Sequence, residues 1–246
     1  MFGSFSVWLI RNQITTLDNV VNFCLKISIC YTFPMIITYQ GLEFVKIQQG
    51  DLTVAVNPIS KDSKFKSSRF GADIALCSIN NKDMNGVDMV AHGDRNPFVI
   101  SGPGEYEVGG IFVKGFGSPS HYGGGDKINT IYSFTIDGMN VCFLGAHDSA
   151  DLSSEVKEAI DGVDILFVPI GGDGVLNAVE AAKLSVKMEP KIIIPIHYGE
   201  VGDKQALKIF LKESDAENVK GVDKLTLKKK DLEGKDGEVV VLEAQG

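Results

Sequence analysis

No C-x-x-C pair occurs in this chain, whose four cysteines are Cys24, Cys30, Cys77 and Cys142. That excludes a zinc knuckle and a dithiol redox motif. Cys77 and Cys142 lie inside apolar runs, where cysteine acts as a small buried hydrophobe. Such sparse usage fits a reducing, cytoplasmic setting. A basic stripe is also missing. With a net charge of −8 and a pI near 5.0, the surface repels phosphate backbones, which excludes non-specific nucleic-acid binding. The dense basic run Lys228-Lys229-Lys230 is followed at once by Asp231 and Glu233 and reads as a solvated turn. No G-x-S-x-G elbow appears, so a serine hydrolase has no support. The glycine-rich stretch Ser101–Gly110 is no phosphate cradle. It lacks a following helix and a Lys-Ser/Thr pair, and it carries Glu105 and Glu107. It reads as a structural turn entering a strand.

Long apolar runs are absent too. Lys26 and Pro34 interrupt Val20–Tyr39, so no uncharged segment reaches the ~20 residues of a membrane span. Residues 1–34 nevertheless differ from the rest: they are apolar, irregular, and lack both the basic start and the cleavage site of a signal peptide. They are either a helical appendage, a weak membrane anchor, or translated sequence upstream of a functional start at Met35. The strand-like Ile36-Ile37-Thr38-Tyr39 that follows favours the last. Residues 35–246 then form one domain. Of the 246 residues, 44% are hydrophobic and 23% charged, which suffices for one large core and falls short of two.

From Met35 onward β-rich runs recur at Ile36–Tyr39, Glu43–Gln48, Leu52–Val56, Ile74–Ser78, Phe98–Ser101, Ile111–Gly115, Ile128–Ile136 and Asn140–Leu144. Turn residues such as Asp137-Gly138 separate them. The second half alternates. Helices are expected over Ser153–Ile160, Ala178–Met188 (with Val179, Ala182 and Val186 on one stripe) and Lys204–Ser214. Strands are expected at Ile165–Pro169, Lys191–Ile196, Lys224–Leu227 and Glu238–Glu243. Many strands with interspersed helices predict an α/β (α+β) fold, a four-layer αββα sandwich.

Several motifs in this order resemble the metallo-β-lactamase superfamily, in its small zinc-dependent hydrolase branch. They are Asn57-Pro58, the loop Ser78-Ile79-Asn80-Asn81-Lys82-Asp83-Met84 after a buried strand, the lone His121, Gly145-Ala146, Val163–Gly172, and Pro195-Ile196-His197-Tyr198. The resemblance covers about residues 35–243 and implies a two-metal hydrolytic centre. Position by position, however, most of that centre is gone. The H-x-H pair falls on Ile79 and Asn81, the D-H pair on Asp83 and Met84, and the bridging aspartate on Ala146. Asp83, His121 and His197 remain. By the family pattern His121 serves one metal, and Asp83 and His197 the other. Two divalent ions ~3.5 Å apart repel by roughly 19 kcal/mol at an effective dielectric of ~20, and Ala146 offers no bridge to offset it.

Three functions follow as expectations. The first is a catalytically impaired or non-catalytic relative of the zinc-dependent hydrolases, a pseudoenzyme with no cofactor, that keeps its cleft for a small molecule or a protein partner. The second is a hydrolase with a rebuilt mononuclear site, in which Asp148, beside His147, swings towards Asp83 and His197 to hold zinc or another divalent metal. The third is an assembly role, as a homo-oligomer formed through a sheet edge or the N-terminal segment. No membrane partner is expected unless residues 1–34 supply it. Otherwise His147 and Asp148 are exposed turn residues, His92 is a surface loop residue, and Asp83 caps its own loop through backbone N–H groups.

Overall fold

The computed structural model describes residues 33–245. The segment 1–34 read above as an extension lies outside the described residues except for Phe33 and Pro34, as do Cys24 and Cys30.

Two mixed sheets face each other. The first contains β1 (Met35–Gly41), β2 (Phe44–Gln49), β3 (Leu52–Val56), β4 (Ile74–Leu76), β5 (Phe98–Ile100) and β12 (Leu225–Leu227), in the order β12-β1-β2-β3-β4-β5. The second contains β6 (Gly104–Val108), β7 (Ile111–Ser120), β8 (Lys127–Ile136), β9 (Met139–Phe143), β10 (Ile165–Pro169), β11 (Ile192–Ile196) and β13 (Glu238–Val239), in the order β13-β11-β10-β9-β8-β7-β6.

Strand sequence follows burial. In β1, Met35, Ile37 and Tyr39 face the inter-sheet core, while Ile36 and Thr38 are half-buried. This is the period-2 pattern of a sheet with one core face. The parallel neighbours β10 and β11 are buried throughout. Ile165 and Phe167 enter the inter-sheet core, and Leu166 and Val168 point the other way, into a second core under the helices. A strand covered on both faces must be apolar at every position.

Three helices build that second core: α1 (Ser154–Ala159), α2 (Ala178–Met188) and α3 (Ala206–Glu213). Ser153 caps α1, its side chain accepting the Val156 N–H. Asn177 and Glu180 form a capping box on α2, satisfying N–H groups at its first turn. The buried side of α2 carries Ala178, Ala181, Ala182, Leu184 and Ser185, whereas Val186 is 70% exposed. The expected Val179–Ala182–Val186 stripe is therefore rotated: small residues face inward, where the backbone packs close to its neighbours. Among the described residues the outer face of the first sheet is covered by loops and one 3-10 turn, Val87–Met89, rather than by α-helices.

Two local readings change. Residues 104–108 form β6, paired antiparallel with β7 through a Gly109-Gly110 turn, so the glycine-rich stretch is a hairpin arm as well as a turn. The basic run is also more than solvated. Lys229 Nζ lies 2.6 Å from Asp164 Oδ2, and Lys191 Nζ lies 2.7 Å from Oδ1. Asp164 is buried, and the paired ammoniums supply the charge its carboxylate needs there.

Candidate functional site

The site forms where loops leave the strand ends of both sheets. Asp83, His121 and His197 line one cavity of about 580 Å³, together with Tyr122, Asp173 and Glu200. Three of the residual ligand positions are thus brought together. Asp148 and His147 are not among the lining residues.

His197 follows β11 in the left-handed region, at φ +60°, and donates its backbone N–H to Leu42. A non-glycine residue there is strained, and Gly171 packs so closely that a Cβ on it would lie 2.4 Å from the His197 carbonyl oxygen. The ring is almost fully buried and its Nδ1 lies 2.9 Å from Glu43 Oε1. Glu43 is itself wholly buried, and its other oxygen accepts from Asn57 Nδ2 at 2.9 Å. Asn57 cannot flip without loss, because its Oδ1 accepts the Ser78 N–H at 2.7 Å. The Asn57-Pro58 turn thus ties Glu43 to the start of the former metal loop.

Sequence reading missed Glu43. A signal was present: one carboxylate between Leu42 and Phe44, in the turn joining β1 and β2, a residue type that is rarely fully buried unless paired.

Asp83 does not cap its loop through backbone N–H groups. Its Oδ1 accepts from Ser63 Oγ at 2.6 Å and its Oδ2 from Tyr122 OH at 3.0 Å. The loop is capped instead by Asn81, whose Oδ1 accepts the Asp83 N–H at 3.0 Å. Burial and the adjacent Asp83 charge push the Tyr122 hydroxyl well above the usual phenol range. The Tyr122 ring meets His197 edge-on, with centroids 5.3 Å apart.

His121 is exposed, and Asp148 Oδ2 accepts from its backbone N–H at 2.8 Å and contacts Nδ1 at 2.5 Å. The Asp148 carboxylate, followed by Asp126, raises the His121 pKa. Asp148 is therefore committed to His121 rather than swung towards Asp83. His147 corrects the expectation of an exposed turn residue: it is buried, with Nδ1 3.3 Å from Ser118 Oγ and, among the described residues, no partner on Nε2. Burial lowers its pKa. His92 is a surface residue, as expected.

Three of the four replaced positions behave alike, Asn81 being the half-buried polar exception. Ile79, Met84 and Ala146 are buried in one apolar cluster with Tyr122, Val175 and Val201. Gly145, at φ +60°, is required beside them, since a Cβ would lie 2.5 Å from Asn129 Oδ1 and 2.6 Å from Ser78 Cβ. A two-metal centre of the kind the motif order implies does not fit this donor set. Apolar side chains stand at three ligand positions, and Asp148 is taken up by His121, so no carboxylate stands at the bridging position. Among the described residues, no group of three or more His, Cys, Asp or Glu side chains is arranged to hold a metal ion.

Two facing mixed sheets, helices on an outer face, and a cleft at the strand ends define a metallo-β-lactamase-type sandwich. The chain belongs to the β-lactamase superfamily: the family model described as "Beta-lactamase superfamily domain" matches residues 36–197. A relative named metal-dependent hydrolase from Listeria innocua is 25% identical over 197 residues, 67% of this chain and 85% of that one. Another of the same name, from Natranaerobius thermophilus, is 29% identical over 105 residues; that match spans 42% of this chain and only 45% of the relative. Among solved structures, a chain from Thermotoga maritima ascribed to the zinc-dependent hydrolases of the metallo-β-lactamase superfamily superposes with a TM-score of 0.68. It is 28% identical, and the match covers 85% of this chain and 98% of that one. A divalent metal is accordingly the cofactor to test.

Proposed function

We propose that this chain is a non-hydrolytic member of its superfamily, a pseudoenzyme that keeps the substrate cleft as a binding site. One observation carries the reading. Ile79, Met84 and Ala146 fill the ligand positions with buried apolar side chains packed into one cluster. A metal-bound hydroxide needs three or more protein donors around its ion, and these positions supply no imidazole or carboxylate. A reducing cytoplasm suits its two buried free thiols.

The test is metal analysis of the purified full-length protein, with a hydrolase screen before and after chelation. The expected result is substoichiometric zinc, manganese and iron, with chelation changing neither melting temperature nor activity. A full equivalent of metal that disappears in His197→Ala would overturn the proposal. It would favour the second reading, a rebuilt mononuclear hydrolase, which is supported by the relatives' names and by the shared cavity of Asp83 and His197.

A further inference from the structure

The cavity contains a carboxylate that the protein does not neutralise. Asp83 is 9% exposed, and its only partners among the described residues are the neutral hydroxyls of Ser63 and Tyr122. Buried charges are ordinarily paired. Lys64, on the same cavity wall, does not pair with it; the Lys64 ammonium rests over the Phe65 ring, 4.8 Å from the centroid.

A second polar atom without a protein partner faces the same cavity. His197 Nδ1 lies 2.9 Å from Glu43 Oε1, which leaves Nε2 as the ring nitrogen free for a ligand. That nitrogen has no partner among the described residues, although the ring is 1% exposed and lines the cavity. Asp173 and Glu200 add negative charge to the wall.

The cavity also has an annex. A neighbouring space of about 320 Å³ shares Phe65, Glu200 and Val201 with it and is walled by Tyr39 and Tyr198, whose rings stack at 5.4 Å. A polar, acceptor-rich chamber thus opens beside an aromatic one.

We infer that this cleft binds a small organic cation, its ammonium or guanidinium head held by the Asp83 carboxylate next to His197 Nε2 and its flat or apolar tail lying among Phe65, Tyr39 and Tyr198. The inference rests on the non-hydrolytic reading of the same cleft. An ammonium needs only acceptors for its three N–H donors, whereas a divalent ion needs a full coordination shell, which Ile79, Met84 and Ala146 deny. An aromatic wall attracts a cation or its aryl tail.

The probes are phenethylamine and phenylacetate, which share a tail and differ in head charge, titrated calorimetrically into metal-stripped full-length protein. Phenethylamine is expected to bind at least about tenfold more tightly than phenylacetate. Asp83→Asn removes that preference. If that variant does not fold, the wall variant Glu200→Gln is expected to lower the phenethylamine affinity two- to threefold or so and to reduce its salt dependence. Phe65→Ala weakens phenethylamine while leaving methylammonium unchanged. Equal binding of the two aryl probes, or no saturable binding of phenethylamine below about 10 mM, would overturn the inference. Neither outcome touches the metal content on which the non-hydrolytic reading stands. Stoichiometric zinc that displaces phenethylamine would overturn both.

Discussion

Replacing Glu43 by alanine strands two buried donors at once. Asn57 Nδ2 and His197 Nδ1 each lose a 2.9 Å partner, and Glu43 has no exposure through which water could substitute. An unsatisfied buried donor costs about 1–3 kcal/mol, so the two together cost about 2–6 kcal/mol. Relief from burying the carboxylate itself offsets part of this, which leaves about 1–4 kcal/mol. For a domain of this size that is a fall in melting temperature of roughly 5–10 °C. Glu43→Gln keeps the volume but turns an amide N–H₂ towards one of the two donors, so it costs about 1–3 kcal/mol. Urea melts of Glu43→Ala, His197→Ala and the double variant separate the pair from its surroundings; the double variant should lose at least about 1 kcal/mol less than the sum. Imidazole ¹⁵N spectra provide a second readout, with the His197 proton on Nδ1 in the parent chain. A Glu43→Ala variant within about 0.5 kcal/mol of the parent, or a His197 ring without a proton on Nδ1, would refute the reasoning.

Three further outcomes follow from the same structure. Ala146→Asp, which restores the bridging carboxylate alone, puts an unpaired charge into a fully buried apolar cluster. It should destabilise the fold by about 3–5 kcal/mol in urea without raising metal content. His147 has a folded-state pKa lowered by burial, so the unfolded chain takes up its proton first. The His147 contribution to stability is present above about pH 6.5 and is lost as pH falls through the depressed folded value; a His147→Phe variant should show a flatter stability profile between about pH 7 and 5. Asp164 is subject to burial, which raises its pKa, but its contacts with Lys191, Lys229 and the Asn140 N–H outweigh that and leave it lowered. The stability it contributes is present above about pH 3.9 and is lost as pH falls further; Lys229→Met should reduce that acid sensitivity, read from melting temperatures at pH 5 and pH 3.

Much of the fold was legible because strand burial writes itself into local composition. The all-apolar runs Ile165–Pro169 and Ile192–Ile196 can only be strands covered on both faces, and Asp137-Gly138 can only turn a hairpin. The rotated face of α2 was not legible, because alanine reads as neutral in a periodicity count yet packs closest in a helix–sheet contact. The replaced ligand positions were likewise readable in order, since Ile79 and Ala146 carry no lone pair and Met84 offers only a soft thioether in place of an imidazole.

What the remaining polar residues do was decided by tertiary structure. Asp148 lies 27 residues from His121 and Glu43 lies 154 from His197, and no local pattern links such partners. By itself the sequence determined that positions 79, 84 and 146 carry no imidazole or carboxylate, because that depends only on side-chain identity. Only the folded chain decided that a buried glutamate holds His197, that Asp83 is left without a cation, and that His147 is enclosed. Those are matters of distance and solvent access, which the packing of two sheets sets and a linear order does not.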